Sequence, residues 1–349
     1  MNQAFDHNPH ESEYRMPPEW SRHEATWLAW PHNRETWPEN HFSGIEEIYL
    51  RMLEALLPGE KVRLLCHDDE EREHVETMIS AYRIRSANLD IRIAPTVDVW
   101  IRDYGPIFVK NGDGEKAWCK WRFNAWGGKY PEFIADNHVF EPATKMIDHP
   151  CFSPEMVLEG GSIDVNGSGV CLTTEPCLLN ANRNPLFSRK DIESYLERYL
   201  GVSQTVWLRG GLAGDDTDGH IDNLARFVNA DTILAAFEED ASDENYEPLR
   251  SNWEKLGNVP HPGNGKWHLI KLPMPGNVNE HGMRKPASYA NFYIGNQAVL
   301  MPVYGHPNDR RAASILKEHF AGREIVAIPC DVLINGLGAL HCITQQEPA

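Results

Sequence analysis

The sequence predicts an α/β protein built from one recurring unit and closed into a ring by its own two ends. Three observations favour this fold. A β-hairpin pattern recurs four times, an amphipathic helix and a short strand follow most of these hairpins, and each end of the chain carries one more strand-like segment. An ordinary open α/β sheet with helices on both faces is the alternative on this evidence alone.

Each hairpin pattern joins two apolar stretches through a turn built on Asn or Gly. The four patterns are residues 107–121, 162–175, 223–238 and 291–304. The helix and strand that follow are seen in SRKDIESYLERYLG before TVWLRG and in NDRRAASILKEHF before EIVAIPC. The strands KVRLLC, LDIRIAP and HLIKLP extend the series.

A fifth hairpin requires one arm from each end of the chain, EATWLAWP near the N-terminus and ALHCITQQ near the C-terminus. Such closure leaves no exposed sheet edge. It also places Cys342 on the closing strand, although the residue is close to the chain end, where fraying is usual. We expect residues 1–15 to form a disordered tail and residues 16–349 to form a single domain.

Composition excludes several classes of protein. The formal net charge of −18 over 349 residues disfavours nucleic acid and anionic membranes as partners and is compatible with a cationic small molecule. There is no apolar run long enough to span a bilayer and no secretory signal pattern. Seven cysteines without a CxxC pair predict free thiols in a reducing compartment, so we expect a cytoplasmic protein.

Chemically distinctive residues lie in the loops that lead from a short strand into the next hairpin. In a ring these loops converge on one centre, where glycines allow the backbone to approach a ligand closely. The loops are residues 97–106, 158–164, 213–222 and 334–342. They contain His220, the pair His341 and Cys342, and eight acidic residues, which are Asp98, Asp103, Glu159, Asp164, Asp215, Asp216, Asp218 and Asp222.

Acidic residues that meet in one pocket repel one another unless a cation binds there. A metal ion held by His220, Asp222 and Cys342 is one candidate, but the chain has no HExxH, CxxC or EF-hand pattern. A guanidinium is the other candidate, because two carboxylates can accept its N–H donors along its edges. A thiol above the guanidinium plane could then attack the central carbon.

Six motifs resemble the agmatine deiminases, within the bacterial peptidylarginine-deiminase-type family of the guanidine-modifying superfamily. They are MPPEWSRHEATWLAWPHN, DVWIRDYGP, WRFNAWGGKY, LEGGSIDVNG, DDTDGHIDNLARF and LHCITQQEP. The resemblance runs from residue 16 to residue 348. It implies the pentein fold, a five-fold pseudosymmetric α/β propeller closed by pairing of the N- and C-terminal strands. One departure is Gly336-Leu337-Gly338, where the family tends to have three glycines.

The resemblance also implies roles for the reacting groups. Cys342 matches the family's nucleophile, His220 its general acid and base, and Asp103 and Asp222 the carboxylates that hold the guanidinium. Glu159 is expected to orient or polarise His220, or alternatively to contact the substrate. A cysteine among carboxylates should have a raised pKa, so we expect the substrate cation itself to favour the thiolate.

Further residues are expected to bind the rest of the substrate. Asp216 matches the contact to the far amine, Trp100 could line the aliphatic channel or simply pack, and Gly338 must leave room for a flat guanidinium. On a strand, His341 would face away from Cys342, which predicts a structural role.

The activity that the resemblance implies is hydrolysis of agmatine to N-carbamoylputrescine and ammonia through an S-amidino-cysteine, a step of putrescine biosynthesis. No cofactor or metal is expected, and a homo-oligomer is compatible with the sequence. A peptidyl- or free-arginine deiminase is the first alternative, with Arg102, Arg209 or Arg226 as partner for the substrate carboxylate. A non-catalytic guanidine or polyamine binder is the second.

Overall fold

Five small sheets repeat one arrangement of strands in the computed structural model, which describes residues 9–263 and 265–349. In each sheet two antiparallel strands are followed by a helical connection and then by a strand parallel to the second one. All four hairpins predicted from the sequence are confirmed, as are the helix and strand that follow the second and the fourth.

The first two units lie in the N-terminal part of the chain. The first contains β1 (His23–Ala29), α1 (Glu39–Leu56), β2 (Lys61–Cys66), α2 (Asp69–Ala81) and β3 (Leu89–Ile93). The second contains α3 (Ile101–Tyr104), β4 (Ile107–Lys110), β5 (Lys116–Cys119), α4 (Ala125–Gly128) and β6 (Cys151–Phe152). Short 3-10 segments, Pro131–His138 and Pro142–Thr144, precede β6.

The other three units follow in order. The third contains β7 (Asp164–Val165), β8 (Val170–Thr174), α5 (Glu175–Leu178), α6 (Arg189–Leu200) and β9 (Gln204–Leu208). The fourth contains β10 (Ala225–Asn229), β11 (Thr232–Phe237), α7 (Tyr246–Gly257) and β12 (His268–Pro273). After a two-stranded ribbon, β13 (Asn279–Glu280) and β14 (Met283–Arg284), the fifth contains β15 (Tyr293–Ile294), β16 (Ala298–Val303), α8 (Asn308–His319) and β17 (Glu324–Pro329).

The last strand, β18 (Gln345–Pro348), closes the ring by pairing antiparallel with β1. This confirms the predicted closure of the pentein by its two ends. The placement of Cys342 on that strand is wrong, however. Thr344 donates its backbone N–H to the carbonyl of His341 at 3.1 Å, and this bond closes a turn that holds His341 and Cys342 before the strand begins.

The sequence predicts a disordered tail over residues 1–15. Residues 1–8 of this tail lie outside the described residues, and for them disorder stays a prediction. From residue 9 the chain is packed, with a 3-10 segment at Pro9–Ser12 and a buried Tyr14. Arg15 and Lys110 exchange two backbone hydrogen bonds of 2.8 Å, one in each direction. The ordered part of the chain therefore begins before residue 16.

Apolar faces of the helices are buried against the sheets. Helix α6 is an example: Ser188 and Asp191 form a capping box at its start, and Gly201 ends it with a φ of 70°. Ile192 and Leu196 lie on its buried face. No helix among the described residues is long and apolar enough to cross a lipid bilayer.

Candidate active site

A cavity of about 250 Å³ lies where the loops of different units meet. Aromatic and aliphatic side chains form much of its wall: Trp100, Trp126, Tyr130, Phe133 and Leu337. Its polar lining includes Asp103 and Cys342 as well as three acidic residues, Glu35, Glu132 and Asp216. No Lys, Arg or His belongs to the wall within the part of the chain that the structure describes.

Cys342 is 7% exposed and is held from two directions. Asn291 Nδ2 lies 3.1 Å from its Sγ, and Asp222 Oδ2 lies 3.7 Å from it on another side. Burial raises the pKa of the Cys342 thiol well above its ordinary value, and the charges of Asp222 and Asp103 raise it further. As the sequence predicted, the free site favours the neutral thiol.

Asp103 and Asp222 are both buried, but their environments differ. Asp103 accepts from Trp126 Nε1 at 2.9 Å and from the Gly161 backbone N–H at 3.0 Å. Burial, together with Asp222 and Glu159, raises the pKa of Asp103. Burial also opposes ionisation of Asp222, but the hydrogen bond and charge of His341 together with the charges of His220 and Arg226 outweigh it and lower the pKa of Asp222. Asp222 Oδ1 is buried and has no hydrogen-bond partner among the residues described.

Gly161 keeps open the space between these groups. A Cβ at this position would lie 2.6 Å from His220 Nδ1, 2.9 Å from Asp103 Oδ1 and 3.1 Å from Asp222 Oδ2. Any side chain here would therefore fill the point on which the three polar atoms converge. Glycine is therefore the residue that lets these three polar groups lie this close to the backbone.

His220 is 1% exposed and lies directly behind the cavity wall. Its Nδ1 is 3.8 Å from Asp103 Oδ1, and its Nε2 has no hydrogen-bond partner in the described chain. Burial disfavours the imidazolium, but the nearby Asp103, Cys177 and Glu159 outweigh it and raise the pKa of His220 well above its ordinary value. A histidine in this state has a proton to donate.

Glu159 lies behind His220 and is not part of the cavity wall. Its Oε1 accepts from Arg183 Nε at 2.6 Å, and Arg183 Nη1 also contacts Asp218 at 2.6 Å. One possible ligand atom from each of Glu159, Cys177 and His220 lies within 4.8 Å of the other two. This set differs from the metal shell considered from the sequence, which was His220, Asp222 and Cys342. Arg183 already places a positive charge beside this set, which disfavours a cation there.

His341 contacts carboxylates on both sides of its ring. Its Nδ1 is 2.8 Å from Asp222 Oδ2 and its Nε2 is 2.8 Å from Glu19 Oε2. The sequence placed His341 on the far face of a strand, away from the reacting groups. That placement is wrong because the segment forms a turn, which directs the imidazole against Asp222.

The loop before Cys342 packs closely against aromatic rings. A Cβ on Gly338 would lie 2.3 Å from Trp100 Cζ3, and one on Gly336 would lie 2.6 Å from Trp37 Cζ2. Leu337 between them has a φ of +69°, a left-handed conformation that costs about 1–2 kcal/mol for a residue with a Cβ. Trp100 packs against this loop and also lines the cavity. The packing role and the channel-lining role considered from the sequence are therefore compatible.

Asp216 stands at the mouth of the cavity and accepts a hydrogen bond from the Tyr130 hydroxyl. The other acidic residues of the loops are engaged elsewhere and do not line the cavity. Asp98 accepts from Thr36, and Asp164 from Arg226. Asp215 accepts from Thr217 at 2.8 Å, which is ordinary turn chemistry.

Several residues of the site were not predicted. Asn291 is the first residue of the predicted hairpin 291–304 and lies just before β15, in a connection that is not among the four loops above, so five-fold repetition of the unit could have identified it. Trp126 and Tyr130 belong to the WRFNAWGGKY motif, which was assigned no role. Arg183 lies between two elements and carries no sequence signal that we can identify.

The chain is similar to known proteins over its full length. The agmatine deiminase of Stutzerimonas stutzeri is 34% identical, covering 98% of this chain and 97% of that protein. The agmatine deiminase structure from Enterococcus faecalis has a TM-score of 0.91 at 28% identity, covering 100% of this chain and 99% of that one. A C. jejuni agmatine deiminase variant with substrate bound has a TM-score of 0.86 at 30% identity, with the same coverage.

The family comparison agrees with these relatives. The model of the Porphyromonas-type peptidyl-arginine deiminases matches residues 15–348, which is nearly the whole chain. With the five repeated sheets and the closing strand pair, this confirms the pentein fold. The chain belongs to the Porphyromonas-type peptidyl-arginine deiminase family.

Proposed function

We propose that this protein is an agmatine deiminase, a hydrolase that converts agmatine and water to N-carbamoylputrescine and ammonia, a step towards putrescine. The observation that carries the proposal is the charge of the cavity. It has a thiol and a buried carboxylate at its closed end, a second carboxylate behind the wall, and only acidic or neutral residues along its wall in the described chain. Such a cavity fits a ligand that is cationic at both ends.

The reaction begins with the guanidinium between Asp103 and Asp222. Guanidinium is a poor electrophile because resonance spreads its charge, and carboxylates that accept its N–H groups localise that charge and fix its plane. The charge of the bound guanidinium favours the thiolate of Cys342, which releases its proton to solvent and attacks the central carbon. Gly161 has no side chain that would clash with either carboxylate.

His220 moves the protons. It protonates one nitrogen of the tetrahedral adduct, and ammonia leaves as the S-amidino-cysteine forms. It then takes a proton from water, which attacks the same carbon and releases the ureido product with the thiol. Glu159, held by Arg183 behind the imidazole, favours the protonated form that the first step needs.

The same geometry favours agmatine over arginine. An arginine deiminase needs a cationic partner for the substrate carboxylate, and the three arginines considered from the sequence do not line the cavity. Arg102 is buried beside Gln346, Arg226 is buried beside Asp164, and Arg209 is exposed elsewhere. Asp216 at the mouth is instead suited to the far ammonium of agmatine.

We further propose that the enzyme acts in the cytoplasm without a cofactor. The seven cysteines are free and buried, as is usual in a reducing compartment. The cysteine, histidine and carboxylates supply the nucleophile, the acid and base, and the charge stabilisation that the reaction needs.

The test is ammonia release from a panel of guanidines, including agmatine, free arginine and an arginine peptide. We expect agmatine to be the best substrate and Cys342→Ala to lose at least about a thousand-fold in kcat. Cys330→Ala is the matched control, because Cys330 is also buried and its thiol donates to the backbone carbonyl of Ile328 in β17 and not to a group of the site.

Other outcomes would support other functions. Full activity in Cys342→Ala, or no ammonia above background from any guanidine, would contradict the cysteine mechanism and favour a binding protein. Loss of activity on chelation would favour a metal hydrolase. Faster turnover of arginine or its peptide would favour the alternative deiminase.

A further inference from the structure

His341 is the one ring in the site whose two nitrogens both face carboxylates. It is 2% exposed, and its Nδ1 and Nε2 each lie 2.8 Å from an oxygen, of Asp222 and Glu19 respectively. An ionised carboxylate accepts hydrogen bonds only, and a neutral imidazole carries a single N–H. A neutral ring would therefore set one nitrogen lone pair against a carboxylate at hydrogen-bond distance, in a buried place where that contact is costly.

Alternatively, one of the two carboxyl groups could carry the proton and donate it to the bare nitrogen of a neutral His341. Both carboxyl groups favour the ionised form, however. Burial opposes the ionisation of Glu19, yet Arg226, His341 and Arg102 outweigh it and lower its pKa well below the ordinary value. Arg226 Nη2 lies 2.9 Å from Glu19 Oε1, and Arg102 Nη2 lies 3.5 Å from Glu19 Oε2. The pKa of Asp222 is lowered as well.

We propose that His341 is a doubly protonated imidazolium bridging Asp222 and Glu19, and that it is a positioning residue for the guanidinium-binding carboxylate. Its Nδ1–H fixes Asp222 Oδ2, which turns the unpartnered Oδ1 into the acceptor that remains for the substrate. The positioning role rests on the proposed function. The assignment of charge does not rest on that function, because it follows from the two contacts and from the arginines that keep Glu19 ionised.

The same residue also acts on the nucleophile. The backbone N–H of His341 donates to Asn291 Oδ1 at 2.9 Å, and Asn291 Nδ2 lies 3.1 Å from Cys342 Sγ. A change in the position of His341 would therefore move both the carboxylate and the thiol. Arg102, whose Nε donates to the His341 carbonyl at 3.2 Å, holds the turn from the other side.

His23 provides a comparison within the same protein. Its Nε2 faces the Glu19 backbone carbonyl at 2.7 Å, and its Nδ1 faces the carboxylate of Glu60 at 3.2 Å. His23 therefore contacts one carboxylate, whereas His341 contacts two, both at the shorter distance of 2.8 Å. Glu60→Gln is accordingly a matched control for Glu19→Gln, since both acids are buried and contact a histidine.

The experiment uses the full-length protein with its histidine rings labelled with ¹⁵N, without substrate. Signals of His341 are assigned as those absent from His341→Gln and shifted in Glu19→Gln, so that the assignment survives if one variant fails to fold. At about pH 7, where an unperturbed imidazole is mostly neutral, we expect both His341 nitrogens to carry protons. One protonated and one bare nitrogen would overturn the proposal.

Kinetics test the positioning role. We expect Glu19→Gln to lower kcat/KM for agmatine about ten-fold, the effect of weakening one charge-assisted hydrogen bond, and Glu60→Gln to change it less than about two-fold. Equal effects of the two substitutions, or none in Glu19→Gln, would overturn that role. An imidazolium in a protein that hydrolyses no guanidine would overturn the proposed function and leave the assignment of charge intact.

Discussion

The closed end of the cavity and its mouth are both acidic, but they are built differently. At the closed end Asp103 and Asp222 are buried, each with its own hydrogen-bond donors, and their pKa values are shifted in opposite directions. At the mouth Glu35 and Glu132 are exposed and Asp216 is partly exposed. Charges in the low-dielectric closed end act strongly on the thiol, whereas charges at the mouth are weakened by water.

Because of this difference, the closed end is suited to the chemical steps and the mouth to recognition of the substrate. The closed end can change the ionisation of Cys342 and His220, because each lies against a buried charged group. The mouth can attract and hold an ammonium, but water weakens the effect of its charges on the ionisation of Cys342 and His220. Variants at the two ends should therefore affect different kinetic constants, which the following predictions test in order of expected size.

The largest effect is expected at the closed end, in the alkylation of Cys342. Because the pKa of the thiol is raised, a neutral reagent such as iodoacetamide should react slowly, and its rate should still be rising with pH at about pH 9, above the ordinary titration of a thiol. A chloroacetamidine brings its own cation between Asp103 and Asp222. After normalisation to a small free thiol, it should react about a hundred-fold faster, the effect of two units of thiol pKa.

Two comparisons check this interpretation. Asp103→Asn should reduce the preference for the amidinium reagent, because it removes one of the charges that the cation meets. Equal normalised rates for the two reagents in the native protein would contradict substrate-assisted formation of the thiolate. Rates are measured by mass spectrometry of the Cys342 peptide.

A smaller effect is expected at the mouth. Asp216→Asn should raise KM for agmatine about ten-fold, the effect of one charge-assisted hydrogen bond, and leave kcat within about two-fold, since the ammonium contact is the same in ground and transition states. Butylguanidine, which lacks the amine, is the matched substrate. Its kcat/KM should be unchanged by the substitution, and an equal loss for both substrates would show that Asp216 does not recognise the amine.

The sequence predicted the residues at the closed end of the cavity better than it predicted the residues that hold them in place. Cys342, His220, Asp103 and Asp222 were placed together because each occurs in an equivalent loop of a repeated unit, and a ring brings such loops to one centre. Trp100 and Gly338 occur in the same loops, and in the structure both line the cavity with Cys342. The roles of all these residues remain proposals.

The supporting contacts could not be predicted because they depend on backbone conformation and on distant pairs. Whether His341 faces Asp222 depends on the turn before β18, and a strand pattern predicts the opposite face. Glu19 is separated from His341 by 322 positions in the chain, and nothing in its own motif indicates a charge pair. Trp126 reaches Asp103 only because its backbone has a φ of 52°, which is unusual for a tryptophan.

The smallest effect is expected where the wall joins the closed end to the mouth, at Leu337. Because its φ is +69°, the backbone should prefer glycine, so Leu337→Gly should be more stable than Leu337→Ala by about 1 kcal/mol. Both substitutions remove the same side chain beyond Cβ, so their difference reports the backbone. The opposite order is expected at Glu76, an exposed residue within α2, where glycine should be less stable than alanine by about 1 kcal/mol. Urea unfolding measures all four variants, and equal stability of the two Leu337 variants would show that the left-handed conformation does not constrain this wall.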